Sequence, residues 1–298
     1  MFSLKEIFSD SYFYSSIIRI STPILFAALG ALVASVGGAP NVALEGIMLM
    51  SAFSGAVVSA LTQSLTLGII GGLSSALILS AILCIFSFKY RANIILTAIA
   101  INILSSGLTG FLMPVVSGQT GNTTNLESIV FPQIHIAFLD HIPFLGEILN
   151  NHHLLTYLAY ICVFIVFILL KKTPFGIHLK AVGENPEAAV SVGLSVGKIK
   201  TVAIMISGLL TGLGGMFLSM GYISWFTREM TGGRGWIGLA AQALGGKSVW
   251  TVTASALLFS TGESFSYSLQ IYNLPTEWVQ ALPFAITLVV LFIYLKSR

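Results

Sequence analysis

Residues 37–53 read GGAPNVALEGIMLMSAF and place an amide, Asn41, and a carboxylate, Glu45, inside an otherwise apolar stretch. Two glycines and Pro40 precede them; glycine tolerates unusual dihedral angles, and proline lacks a backbone donor. This chemistry predicts a backbone break at membrane depth, which is tolerated where it lines a cavity or packs on protein. We expect Asn41 and Glu45 to lie one turn apart on one face of a half-helix, as in the substrate sites of broken-helix transporters.

The chain around this stretch has the composition of a membrane protein. Of its 298 residues, 55% are hydrophobic and 8% are charged, whereas soluble domains carry about 25% charged residues. We therefore expect an all-α, polytopic helical membrane protein, with residues 1–298 forming a single transmembrane domain of about eight or nine membrane segments, some of them broken or re-entrant. The apolar runs that are long enough to cross a bilayer lie at 20–37, 42–62, 64–87, 93–116, 153–170, 201–222, 249–270 and 276–295.

The positions of lysine and arginine predict the topology, because these residues are enriched in cytoplasmic loops. The segment 117–152 contains neither residue and is placed outside the cell. The cytoplasmic regions are the loop with Lys89 and Arg91, the segment 171–200, and the C-terminus with Lys296 and Arg298.

Two short segments are needed to make this topology consistent. If Lys5 and Arg19 are also cytoplasmic, an even number of crossings must separate them from Lys89, but three apolar runs lie between them. We therefore expect one stretch beside the break to be a re-entrant or half helix. The segment 232–246, GGRGWIGLAAQALGG, is short for a full span and has two glycines at each end. We interpret it as a discontinuous helix that reaches the cytoplasmic side at Lys247.

Polar residues within apolar runs are candidates for a translocation path, because a buried acid faces a cavity or a partner rather than lipid. For Glu45 and Glu263, lining the path and hydrogen bonding a neighbouring helix both remain open. For Asn102, the apolar run around it favours a hydrogen bond between helices over a contact with the solute. Gln242 has a better claim to the path because it lies in the discontinuous segment.

No residue pattern predicts catalysis, metal binding or a cofactor in this chain. AQALGGKS, residues 241–248, is close to a phosphate-binding loop but has Ala241 in place of the first glycine and follows a membrane helix instead of a strand. The histidines of the external segment lack a ligand spacing within a helix; they are His135, His141, His152 and His153.

The loop 171–200 contains the signals of a short, capped helix. Asn185 is suited to the N-cap, Pro186 to the first position, and Glu187 to the positive end of the helix dipole. Gly193 is suited to end the helix. Such a helix on the cytoplasmic face predicts a docking surface, although a simple connector remains possible.

The same loop resembles a known family. AVGENPEAAVSVGLSVGKIK is similar to the coupling loop of membrane subunits of ABC importers for ribose, nucleosides and branched-chain amino acids. NVALEGIMLMSAFSGA and MTGGRGWIGLAAQALGGK resemble two further blocks of the nucleoside branch, which is linked to basic membrane lipoproteins. The three motifs occur in the family's order, and the resemblance extends from about residue 22 to residue 295.

The resemblance implies a permease subunit that imports a small polar solute across a prokaryotic plasma membrane, with a cytoplasmic C-terminus. Nucleosides come first as solute, then simple sugars, then branched-chain amino acids. The implied partners are the lipid bilayer, a cytoplasmic ATPase that binds ATP and Mg²⁺, a second homologous permease and an extracytoplasmic solute-binding protein, with no nucleic acid. The implied path residues include Asn41, Glu45, Arg234 and Gln242, and the implied ATPase-coupling residues are Gly183, Glu184, Asn185, Pro186, Glu187, Ala188, Ala189 and Gly193.

A function from another class is a stand-alone secondary transporter in which Glu45 or Glu263 carries a coupling proton. A membrane scaffold without transport activity is a third possibility. The capped loop and the lack of an obvious two-half repeat argue against the secondary transporter.

Overall fold

The computed structural model describes residues 11–141 and 144–270, and its regular structure is almost entirely helical. Within these residues, long helices alternate with groups of shorter elements. The helices are α1 (Ser11–Val36), α2 (Leu44–Thr62), α3 (Leu65–Cys84, with a π-helical turn Ile85–Lys89), α4 (Ile94–Ser117), α5 (Leu145–Leu149), α6 (Leu154–Lys172), α7 (Pro174–Glu184), α8 (Pro186–Ser191), α9 (Val196–Phe217, with a π-helical turn Leu218–Tyr222), α10 (Arg234–Gly245) and α11 (Val249–Gln270). A 3₁₀ turn covers Ala137–His141, and the strands are β1 (Gln133–Ile134) and β2 (His152–His153).

Helices of membrane-spanning length account for most of the described chain. Within it, six helices are long and apolar enough to cross a bilayer: α1, α2, α3, α4, α6 and α9. They fall on the predicted apolar runs, and the run 249–270 is α11. The prediction of an all-α membrane protein is confirmed; the run 276–295, Lys5, Lys296 and Arg298 lie outside the described residues.

The predicted backbone break is present between α1 and α2, where residues 37–43 leave the helical conformation. Gly38 has a φ of +67° and lies against Gly183 of α7. However, α1 has 26 residues and α2 has 19, and at 1.5 Å per residue both are about as long as a bilayer core is thick. The prediction that one of them is a half-helix is therefore wrong.

The direction of α1 explains this error. We call the end of the bundle with α7 and α8 the coupling end, and the end with residues 118–153 the hairpin end. The last turn of α1 lies at the coupling end, where a Cβ at Gly183 would be 2.0 Å from the carbonyl oxygen of Val36. The guanidinium of Arg19 lies 4.2 Å from the ring centre of Tyr222, at the hairpin end. Arg19 and the segment 171–200 are thus on opposite sides, so the surplus crossing does not arise.

The predicted discontinuous helix is α10. It has 12 residues, or about 18 Å, which is too short to cross a bilayer. Glycines with positive φ flank it, Gly233 at +83° and Gly246 at +67°. Ala241 lies inside this helix, so the resemblance of residues 241–248 to a phosphate-binding loop has no strand–loop–helix context.

α1 occupies the centre of the bundle. Its residues Leu25, Leu29 and Leu32 are fully buried, and it packs against α9, α10 and α11. Small residues bring the outer helices close together: a Cβ at Gly208 of α9 would lie 1.9 Å from the hydroxyl oxygen of Ser80 in α3. The described helices therefore pack closely around α1, as expected where small residues lie between membrane helices.

The segment between α4 and α6 is fastened to the end of α9. The amide of Phe131 donates to the carbonyl of Met220 at 2.7 Å, and the amide of Thr123 donates to the carbonyl of Phe226 at 2.9 Å. His135 pairs with Asp140 at 3.0 Å. Burial lowers the pKa of His152, whose Nε2 contacts the carbonyl of Ile148. The described residues contain no group of three His, Cys, Asp or Glu side chains that could hold a metal ion.

Candidate translocation site

Asn41 closes the break between α1 and α2. Its side chain is fully buried, its Oδ1 accepts from the amide of Ala43 at 3.0 Å, and its Nδ2 donates to the hydroxyl of Ser207 in α9 at 3.0 Å. Asn41 precedes the first residue of α2, Leu44. The expectation that Asn41 and Glu45 share one face of a half-helix is therefore wrong, since only Glu45 is helical.

Glu45 binds the first turn of α10. Its Oε1 accepts from the amide of Gly233 at 2.9 Å, and its Oε2 accepts from the amide of Gly235 at 2.7 Å. The first amides of a helix lack partners within the helix and carry its positive partial charge, so a carboxylate there satisfies donors and stabilises the dipole. Both carboxylate oxygens therefore accept from α10.

Arg234 and Glu263 form an ion pair beside this contact. Nη2 of Arg234 lies 2.7 Å from Oε1 of Glu263, and both side chains are largely buried. The hydroxyl of Tyr267 accepts from Arg234 at 3.2 Å and donates to Glu263 at 3.3 Å. The other oxygen of Glu263 is buried without a hydrogen-bond partner. The pair therefore holds the start of α10 against α11, with one acceptor left free.

Asn102 and Gln242 join α2 and α10 to further helices. Oδ1 of Asn102 accepts from the amide of Gly46 at 2.8 Å, and its Nδ2 donates to the carbonyl of Val42 at 3.0 Å. These contacts match the bond between helices that the sequence favours. Gln242 donates to the hydroxyl of Ser35 at 3.2 Å and to the carbonyl of Gly246 at 3.1 Å, so it fastens the end of α10 to α1.

The structure thus joins residues that the sequence identified one by one. Glu45, Arg234 and Glu263 meet at the start of α10, Asn41 and Asn102 hold the break, and Gln242 lies at the far end of α10. Their contact with a solute stays a prediction. Sequence reasoning missed Glu229, an exposed residue whose carboxylate accepts a hydrogen bond from Ser106 of α4. The feature of the sequence that could have identified Glu229 is a charged residue in the segment just before the discontinuous helix.

The predicted coupling helix is α8. Oδ1 of Asn185 accepts from the amide of Ala188 at 3.0 Å, and Gly193 has a φ of +84°. Two of the predicted docking residues face their own chain instead: Ala189 is buried, and Gly183 packs on the end of α1. The exposed residues of this surface are Glu184, Asn185, Pro186, Glu187, Ala188, Val190, Ser191, Val192 and Gly193.

Known proteins match this chain along most of its length. A family model described as "Branched-chain amino acid transport system / permease component" matches residues 13–291. The chain belongs to this family. The nucleoside ABC transporter permease protein NupC of Lactococcus lactis subsp. cremoris is 30% identical to this permease over 286 residues, covering 92% of this chain and 89% of NupC. The guanosine ABC transporter permease protein NupQ of Bacillus subtilis is 29% identical over 282 residues, covering 91% and 88%.

The fold of the permease also has a solved counterpart. The structure of an ABC transporter in an inward-facing conformation aligns with a TM-score of 0.55 at 17% identity and covers 99% of this chain and 88% of that chain. Its family makes the permease a multi-pass transport subunit of an ABC importer in a prokaryotic plasma membrane, not an enzyme. The family supports an ATPase and a permease as partners in general.

Proposed function

We propose that the permease imports nucleosides. The observation that carries this proposal is the similarity to NupC and NupQ along about nine-tenths of each chain. The polar groups around the start of α10 are compatible with it, because a neutral solute with many hydroxyl and amine groups needs replacement hydrogen bonds where it loses water. Membership in an ABC permease family argues against the stand-alone, ion-coupled transporter.

We further propose that the coupling end faces the cytoplasm and that α8 docks on a separate ATPase, which binds ATP and Mg²⁺. A second permease homologous to this chain completes the path, and an extracytoplasmic binding protein delivers the solute to the hairpin end. The capped start of α8 and the exposed Val190 and Val192 support the docking role, since exposed apolar side chains at an aqueous surface mark partner contacts.

Uptake by the complete complex tests the solute. Cells that lack nucleoside uptake are given this permease with its ATPase, second permease and binding protein, and labelled guanosine, adenosine, arabinose and leucine are compared. We expect uptake of guanosine and adenosine, abolished when the partner ATPase cannot hydrolyse ATP. Uptake of arabinose or leucine alone would refute the nucleoside assignment and leave the permease class unchanged.

Labelling with a membrane-impermeant thiol reagent tests the orientation. Asn125→Cys lies at the hairpin end and Glu187→Cys lies in α8, and both native residues are exposed. The native Cys84 and Cys162 are buried, so the unsubstituted chain is the blank. On intact cells we expect labelling of Asn125→Cys but not Glu187→Cys; the reverse pattern would invert the topology.

A further inference from the structure

Glu229 places a carboxylate halfway along a membrane-length helix. It lies in the segment between α9 and α10, and its Oε1 accepts a hydrogen bond from the hydroxyl of Ser106 in α4. Ser106 is 12 residues after Ile94 and 11 before Ser117, the ends of α4. At 1.5 Å per residue, it is about 18 Å and about 16 Å from those ends. The carboxylate is therefore near the middle of the span.

The carboxylate is also exposed on the outside of the described bundle. The ion pairs among the described residues are His135 with Asp140 and Arg234 with Glu263, so Glu229 is in neither. Acidic side chains at this depth do not face lipid; they face water-filled cavities or partners. The surface around Ser106 is thus not a lipid contact, although most of α4 is exposed and apolar.

The backbone that carries this side chain is held by its surroundings. Glu229 has a φ of +54°, a left-handed conformation that is uncommon outside glycine. Its carbonyl accepts from the amide of Gly232 at 3.0 Å, and the amide of Arg228 donates to the carbonyl of Gly121 at 3.1 Å. A strained residue that is held on both sides is typical of a functional site.

The face that carries Glu229 is continuous with the candidate translocation site. Asn102 lies one turn before Ser106 on α4, and it binds the amide of Gly46 beside Glu45. The centre of the bundle is filled by α1, with Leu25 and Leu29 fully buried. The buried α1 offers no aqueous route, which leaves this outer face as the candidate for a path.

We propose that Glu229 lines the solute path and accepts hydrogen bonds from the ribose hydroxyls of the transported nucleoside. An ionised carboxylate is an acceptor only, and Ser106 occupies one oxygen, which leaves the other for a donor on the solute. Acidic side chains bind ribose hydroxyls in the same way in dinucleotide-binding folds. The identity of the solute in this inference rests on the proposed function; the aqueous position of Glu229 does not.

Thiol labelling tests the aqueous position. Glu229→Cys is compared in membranes with Leu104→Cys, which is exposed on the same helix as Ser106 but about 160° around it. A small water-soluble thiol reagent is expected to label Glu229→Cys and spare Leu104→Cys and the unsubstituted chain. Failure to label Glu229→Cys would overturn the path assignment.

Competition by sugar-modified nucleosides tests the ribose contact in the complete complex. Uptake of labelled guanosine is measured against unlabelled guanosine and 2′,3′-dideoxyguanosine for the unsubstituted permease, Glu229→Gln and the control Glu127→Gln, whose native residue is exposed in the external segment. We expect guanosine to compete about tenfold better in the unsubstituted permease and the control, as for a hydrogen bond to a charged group, and this preference to vanish in Glu229→Gln.

The outcomes separate this inference from the proposed function. If the unsubstituted complex takes up no nucleoside, the proposed function fails and the ribose contact with it, while labelling alone decides the path position. If nucleosides are taken up and Glu229→Gln keeps the full ribose preference, the ribose contact is refuted alone. Loss of assembled complex in Glu229→Gln would assign the carboxylate to a subunit interface and refute the inference.

Discussion

The Oε2 atom of Glu45 lies 2.7 Å from the backbone nitrogen of Gly235, so the first turn of α2 holds the first turn of α10. The second carboxylate oxygen binds Gly233 at 2.9 Å. These two helices begin at the two interruptions of the membrane-spanning chain, the break at 37–43 and the segment 223–233. One side chain therefore joins both interruptions, and any displacement of α10 relative to α2 must break or carry this contact.

Glu45→Leu removes both acceptors and leaves the amides of Gly233 and Gly235 without partners. We expect a loss of about 1–3 kcal/mol for each unsatisfied buried donor, measured as a lower midpoint of thermal unfolding in detergent. Glu45→Gln keeps one acceptor oxygen, so its unfolding midpoint is expected to lie between those of the unsubstituted permease and Glu45→Leu. Glu127→Leu, at an exposed external residue, is the control. A Leu variant with unchanged stability and reduced uptake would instead favour direct contact with the solute.

Gly235→Ala tests the close approach of the two helices. A Cβ at this position would lie 2.6 Å from the nitrogen and 2.7 Å from the Cα of Glu45, and backbone atoms cannot move aside as a flexible side chain can. We expect lower stability and reduced uptake, because over-packing typically costs about 1–3 kcal/mol. Gly197→Ala is the matched helical control, since no heavy atom lies within 4 Å of its added Cβ. Equal behaviour of the two variants would contradict the contact.

The local features of the fold could be predicted from the sequence because they depend on neighbouring residues. The glycines and Pro40 indicate the break, paired glycines indicate the ends of α10, and Asn185 followed by Pro186 indicates the start of α8. Each signal acts through backbone dihedrals or a cap within a few residues. The structure confirms all three, and the apolar runs within the described residues are likewise helices.

Relationships between distant residues could not be predicted in the same way. Arg19 was placed on the cytoplasmic side by its charge alone, but its guanidinium lies over Tyr222 at the hairpin end. The sequence places Glu45 one turn from Asn41, but the amides that its carboxylate binds are 188 and 190 positions away. Glu229 has no apolar run around it, so its position at mid-span depends on how the segment 223–233 folds back against α4.

The ion pair of Arg234 and Glu263 predicts that a single substitution destabilises the protein more than the double substitution does. Glu263→Leu leaves the guanidinium of Arg234 without its counter-charge, and breaking a buried pair from one side costs about 3–5 kcal/mol. Arg234→Met combined with Glu263→Leu removes both charges and is expected to recover most of that loss. Tyr267→Phe removes only a hydroxyl and is expected to cost about 0.5–1.5 kcal/mol.

Thermal unfolding of the purified complex measures these differences in one double-mutant cycle. Additive losses from Arg234→Met and Glu263→Leu would show that the two side chains act independently. That result would contradict the ion pair as the element that holds α10 against α11.

Glu187→Arg reverses the charge in the first turn of α8 and opposes the helix dipole, while Asn185→Ala removes the acceptor for the amide of Ala188. We expect each to destabilise the helix, by about 0.3–1 kcal/mol for the charge and about 0.5–2 kcal/mol for the cap. Because α8 is proposed to dock on the ATPase, uptake should fall while the permease still reaches the membrane. Glu187→Gln and Asn185→Ser, which keep the size or the cap, should retain most of the uptake. Co-purification of the ATPase and solute-stimulated ATP hydrolysis are measured alongside uptake. If Glu187→Arg leaves all three unchanged, α8 is a connector between α7 and α9 and not a docking helix.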